Sequence, residues 1–170
     1  MLSLSNLDHF IEALSTTDVA ADAYNEYAGN TSNAVTRRTN LQRYLHDMAG
    51  RQPKVLLVME APGYRGCRLT GIPVTSRKIM LEGVPELELF GTDQGYSNTD
   101  DAGFETVYGE QSATIVWSTL AELKQVPLIW NTYPFHPHKP SQPRSNRRPR
   151  KPETDTGANF LRYIIRFYKP

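Results

Sequence analysis

Glu60 and Asn131 each stand where a short apolar run gives out, and a carboxylate and an amide so placed can serve one reaction. Glu60 follows Val55-Leu56-Leu57-Val58-Met59, bounded by Pro53 and Pro62-Gly63, which reads as a strand buried on both faces. Asn131 closes Pro127-Leu128-Ile129-Trp130, a second candidate buried strand. Side by side in a parallel sheet, both would open on the crevice beyond the strand carboxyl ends, the usual ligand position in open α/β sheets. An amide there offers a donor and an acceptor at once, which suits the mixed edge of a uracil or cytosine ring. A carboxylate nearby can orient or deprotonate water and favours positive charge developing on a sugar. Behind Asn131 comes Thr132-Tyr133-Pro134-Phe135-His136-Pro137-His138, and then Lys139, Arg144, Arg147, Arg148, Arg150 and Lys151 with no acid among them. Such a charge density suits phosphates, the alternative being a flexible, solvated basic loop, against which stand the aromatic and imidazole groups directly behind a buried strand. A base pocket beside a phosphate track describes hydrolysis of a base–sugar bond.

The chain as a whole narrows the alternatives. At 170 residues it is one domain, long enough to bury a core without metal or disulfide help. A formal net charge of +1 gives no global attraction to nucleic acid, so attraction must come from local clusters. The single cysteine, Cys67, excludes a disulfide within the chain and cannot alone assemble a zinc or iron–sulfur site. No metal and no cofactor are expected. No apolar run is long enough to span a bilayer, and the amino terminus lacks the basic start and apolar core of a secretory signal. The expectation is a soluble, intracellular, cytoplasmic monomer with no membrane partner.

The elements that would position the site follow from periodicity. Residues 1–50 read as a helical lead-in and 51–170 as an α/β core. Leu4, Leu7, Phe10, Ile11 and Leu14 share one helical face, with Ser5 or Asn6 as cap. Val19–Ala28 has helical spacing and stops at Gly29-Asn30, and Thr36–Ala49 reads as a third helix with Leu41, Tyr44, Leu45 and Met48 inward and Gly50 at its end. Gly63–Gly71 is too rich in glycine to be regular and lacks the lysine-serine pair of a nucleotide loop. Ser76 caps a short helix over 77–82, and Gly91–Gly103 reads as an exposed excursion. Ser112–Leu123 is a helix with Ile115, Val116, Leu120 and Leu123 inward and Trp117 at its side. The prolines of 134–152 forbid helix and sheet ladders. Glu153–Tyr168 is the last helix, with Phe160, Leu161, Ile164, Ile165 and Tyr168 inward.

At the same chemistry-bearing residues the chain resembles the uracil-DNA glycosylase superfamily. Glu60-Ala61-Pro62-Gly63 is similar to the first motif of its bacterial Glu-Ala-Pro-Gly branches, Gly71-Ile72-Pro73-Val74 to the Gly-x-Pro-Phe continuation, and Trp130-Asn131 with Asn146-Arg147-Arg148-Pro149 to the uracil-reading asparagine and the later Asn-Arg-x-Pro segment. The resemblance implies a three-layer α/β/α fold with a mainly parallel four-stranded sheet, and a base flipped out of DNA into the crevice during base excision repair. It implies Glu60 as the catalytic residue that orients or activates water, and Asn131 as the reader of the base. Gly63 and Val74 would also line the base pocket. The family's stacking ring maps to Val74, which has no π-face, so the ring is expected from Tyr64 or Phe135. Ser76, Arg144, Arg147, Arg148, Arg150 and Lys151 are the expected contacts to the nucleic-acid backbone. His136 and His138 either join them or cap the loop. The cysteines of the iron–sulfur branches are absent, so that cofactor is not expected.

Two departures define the competing readings. Met59 stands where the family has glycine, and after the helix ending at Tyr168 the family continues into a strand and a His-Pro-Ser motif that has no counterpart here. His136-Pro137-His138 is not that motif, because it directly follows the Asn131 strand. The chain is therefore a glycosylase-like hydrolase, complete or a fragment of a longer one, or a nucleic-acid-binding module of the same fold without catalysis, or a small α/β domain whose Glu60 is only a loop carboxylate.

Overall fold

A computed structural model describes residues 4–170. The elements are α1 (Leu4–Ser15), β1 (Ala23–Tyr24), α2 (Ser32–Arg51), β2 (Leu56–Met59), α3 (Cys67–Thr70), α4 (Arg77–Glu82), α5 (Gln111–Leu123), β3 (Leu128–Asn131), β4 (His136–Pro137) and α6 (Lys151–Tyr168). The chain is a mixed α/β protein. Of the four-stranded, mainly parallel sheet expected from the sequence, the described residues form one parallel pair, β2 with β3, and a separate short antiparallel pair, β1 with β4.

Leu7, Phe10, Ile11 and Leu14 of α1 are buried, as their spacing predicts, while the side chains of Leu4 and Ser5 lie outside the described residues. In α2, Thr31 caps the start by accepting a hydrogen bond from the Ala34 amide at 3.2 Å, so the helix begins at Ser32, four residues before the predicted start. It also runs past Gly50 and ends at Gln52, which adopts the left-handed conformation. Leu41, Tyr44, Leu45 and Met48 join one cluster with Leu7, Phe10, Trp117, Leu128, Ile129, Trp130, Phe135 and Ile164, so the lead-in helices and the α/β part share a core. The Tyr44 hydroxyl, which accepts from the Ile129 amide at 2.8 Å, ties α2 to the middle of β3.

Several expectations are corrected by tertiary context. The segment 19–28 is not a helix. The Asn25 amide donates to the Leu14 and Thr17 carbonyls at 2.8 and 2.9 Å while its oxygen accepts from the Tyr27 amide at 3.0 Å, bonds that compete with a helix, and Ala23–Tyr24 pairs instead with His136–Pro137. That pairing also places a short ladder where prolines were expected to prevent one. β2 is not buried on both faces: Leu56, Leu57 and Met59 are half-buried and Val58 remains 46% exposed. β3 is buried at all four positions. The inward stripe of α5 is Ala113, Trp117 and Leu120, whereas Ile115 and Leu123 are exposed. Its large ring meets Phe90 edge-on at 5.1 Å and its indole N–H donates to the Val74 carbonyl at 2.7 Å, so Trp117 claims the core side of the helix. Ile165 of α6 is likewise exposed. The segment 91–103 is anchored, not a free excursion, because Tyr96 and Thr99 are buried and Asn40 clasps the Ser97 backbone through both its amide nitrogen and its oxygen. Within the glycine-rich loop, Cys67–Thr70 forms one helical turn closed by Gly71. At φ +78°, with the Arg37 carbonyl oxygen 2.6 Å from where a Cβ would stand, only glycine fits there.

Candidate active site

The register Met59↔Asn131 aligns the carboxyl ends of β2 and β3, and two further backbone bonds carry the alignment beyond them. Thr132 N–H donates to the Met59 carbonyl at 2.7 Å and Tyr133 N–H to the Glu60 carbonyl at 3.1 Å. Glu60 and Asn131 thus lie on adjacent strand ends and line one cleft of about 230 Å³, together with Gly63 and Val74. Four of the expected pocket residues meet there. Asn131 is almost fully buried and its amide nitrogen lies 3.9 Å from Cys67 Sγ. The Glu60 carboxylate is open to solvent, with Arg148 Nε 3.7 Å away across the mouth. With Arg148 itself 92% exposed, that pair is screened and holds Glu60 only weakly.

The cleft contains residues that sequence reasoning did not assign to it: Cys67, Thr75, Glu110 and Ser112. Glu110 had a readable signal, an acid just before a helical stripe, and it caps α5 by accepting from the Ala113 amide at 2.6 Å. Cys67 had none, since only the turn of α3 points it inward. Asn146 also lines the cleft, and its side-chain oxygen accepts from the Tyr64 amide at 3.1 Å, joining the basic loop to the glycine-rich one. Val74 holds φ +50°, a strained conformation for a β-branched residue, fixed by the Trp117 bond to its carbonyl.

Other expected site residues lie elsewhere. Phe135 is fully buried in the core, edge-on to Tyr133 and Phe160, and cannot stack on a base in the cleft. Tyr64 stands at the rim with its ring toward Phe104. Ser76 is fully buried as the cap of α4, accepting from the Ile79 amide, so it is out of reach of a phosphate. His136 is also fully buried, its Nδ1 2.8 Å from the Pro62 carbonyl oxygen. Burial lowers its pKa to about 4, against the pull of that carbonyl, and keeps the ring neutral. His138 is buried too, with Nδ1 2.9 Å from the Lys139 carbonyl oxygen, which makes it a loop cap.

The basic loop is partly neutralised from within. Arg147 grips Glu153 with two nitrogens, at 2.6 and 2.7 Å, and reaches Asp22 Oδ1 at 3.1 Å. Arg150 pairs with Asp22 through two further bonds, and its hydrogen bond, helped by Arg147, holds the Asp22 carboxyl below its ordinary range. Lys151 pairs with Asp155 one turn along α6. Arg144 and Arg148 remain open.

No protein-family model matches this chain, and no curated protein does either. Among the described residues no group of three or more His, Cys, Asp or Glu side chains is placed to hold a metal ion. No helix there is long and apolar enough to cross a membrane.

Behind the cleft lies a buried polar cluster. Glu26 is fully buried, its Oε1 3.9 Å from Cys67 Sγ and its Oε2 accepting from the His136 amide at 3.3 Å. Burial pushes its pKa up to about 8, although Arg37 and Arg68 pull the other way, and the same burial, with Glu26 beside it, raises the Cys67 thiol. Glu26 is therefore carried neutral in the fold. Its folded pKa lies above its unfolded value of 4.5, so its contribution is complete below 4.5 and is lost as pH rises through about 8. Glu26→Gln cannot ionise. Thermal unfolding at pH 5 and pH 9 is expected to show wild type losing several degrees more than this variant between the two; equal losses would mean that Glu26 is ionised in the fold.

Proposed function

We propose that this protein hydrolyses the N-glycosidic bond of uracil, or of a related damaged base, flipped out of DNA, in the manner of the uracil-DNA glycosylase superfamily. The observation that carries the reading is the meeting of Glu60 and Asn131 at the ends of adjacent parallel strands in one small cleft. At about 230 Å³ the cleft lies below the range of roughly 300–1,000 Å³ usual for drug-sized ligands, and so suits a single ring. Asn131 offers its amide to the mixed edge of the base, while Glu60, open to solvent, orients the attacking water and stabilises positive charge on the sugar. β2 and β3 then correspond to two strands of the four-stranded sheet in that superfamily's three-layer α/β/α architecture. DNA is the partner, the protein acts as a monomer inside the cell, and the exposed Arg144 and Arg148 meet the phosphates.

One observation favours a second reading, a nucleic-acid-binding module that has lost catalysis. Among the described residues neither an aromatic ring nor an imidazole lines the cleft, since Val74 stands at the stacking position and Phe135 and His136 are buried. Absence of a donor to the departing base would cost on the order of 100-fold or more in rate.

The deciding experiment incubates the protein with single-stranded and mismatched duplex DNA containing one uracil and reveals abasic sites by alkali. Abasic product supports the hydrolase. Salt-sensitive binding without product supports the module. Asn131→Asp, which replaces the amide donor with an acceptor, is expected to lose or shift base preference in that assay; an unchanged preference removes Asn131 from base reading.

A further inference from the structure

A row of alternating rings and guanidinium groups begins at the rim of the cleft and is not part of the basic loop. Arg65 lies between two tyrosine rings, 5.3 Å from the centre of Tyr64 and 5.2 Å from that of Tyr108. Tyr64 meets Phe104 at 6.4 Å, and Phe104 carries Arg144 at 5.0 Å and Arg68 at 5.4 Å. Arg68 in turn lies 4.6 Å from the ring of Tyr24. Unlike Arg147 and Arg150, none of Arg65, Arg68 and Arg144 forms an ion pair among the described residues. Nε and Nη1 of Arg68 are buried without a hydrogen-bond partner. Tyr108 is 46% and Tyr24 36% exposed, and Arg65 and Arg144 are open to solvent.

We propose that this row is a track for single-stranded DNA. Unpaired charge on the open Arg65 and Arg144 meets the phosphates, and the open tyrosine rings supply faces on which unpaired bases stack. A duplex hides its base faces, so the track selects a single strand. The row also has a direction. Gly63 lines the cleft, Tyr64 follows it, and the Asn146 side chain pins the Tyr64 amide, so a strand lying on the rings delivers a nucleotide to the cleft mouth. That last step rests on the glycosylase reading, whereas strand binding does not.

The test uses a 5′-labelled, uracil-free oligothymidine of about 15 nucleotides and a duplex of the same length, with anisotropy measured over a salt series. Wild type is expected to prefer the single strand. The double variant Arg65→Gln/Arg144→Gln should bind it about 10-fold or more weakly and lower the salt slope by roughly 1.4, about 0.7 for each lost phosphate contact. Tyr108→Ala should weaken binding on the order of 10-fold with the slope unchanged, because stacking releases no counterions. Arg65 and Arg144 are open to solvent and Tyr108 is half-exposed, and unaltered thermal midpoints will show that the variants fold. Equal or tighter binding of duplex, or wild-type affinity in the double variant, overturns the proposal. Binding as expected without uracil release would retain the track and remove the hydrolase; uracil release from duplex without single-strand preference would do the reverse.

Discussion

Glu60→Gln is expected to slow abasic-site formation by about 100-fold or more while leaving affinity for single-stranded DNA within about twofold. The substitution keeps the side chain's size and removes its charge, so water is no longer activated and positive charge on the sugar loses its counterpart. The binding surface is left in place, since the arginine–tyrosine row does not include Glu60 and Arg148 touches it only at 3.7 Å. Loss of the acid should, if anything, tighten binding slightly by removing a negative charge from the rim. Paired measurements on one oligonucleotide separate the two effects. Retained activity in Glu60→Gln would rule out the carboxylate as the catalytic group, and joint loss of activity and affinity, with a lowered thermal midpoint, would indicate misfolding instead.

Gly157→Ala is the second large effect, and it acts through the fold. A Cβ at Gly157 would run into the Thr132 carbonyl oxygen and come within 3.0 Å of Tyr133 Cα. Both neighbours are backbone directly behind Asn131, so neither can rotate away; α6 must shift or the exit of β3 must move. Overpacking of this kind costs about 1–3 kcal/mol, of which alanine's better helix propensity returns up to about 1 kcal/mol. At this chain length the thermal midpoint should fall by several degrees. Any activity should fall with it, because displacement of Thr132 carries Asn131 along. Gly50→Ala is the matched control: among the described residues nothing lies within 4 Å of its added methyl group, which stands in α2, and it should leave the midpoint unchanged or raise it. A harmless Gly157→Ala would show that α6 is not seated against the β3 exit.

The amino-acid sequence by itself determined the local elements whose causes are local. The apolar stripes of α1, α2 and, Ile165 apart, α6, the Ser76 cap and the two apolar runs ending at Glu60 and Asn131 all follow from residue spacing and capping chemistry, which act within a turn or two. The partnership of Glu60 with Asn131 was also legible, because two such runs in an α/β chain have few ways to lie side by side. What only the tertiary structure decided are the outcomes of competition between distant groups. Residues 23–24 became a strand because His136–Pro137 lay opposite and Asn25 found carbonyls on α1. Trp117 displaced Ile115 from the core because Phe90 and Val74 offered its ring and its N–H partners. His136 and Phe135, readable as site residues from their place after β3, were drawn into the interior, and Arg147 and Arg150 were claimed by Asp22, more than a hundred positions away. The arginine–aromatic row that starts beside the cleft has no sequence period, because its members come from four separate segments that only the folded chain brings together.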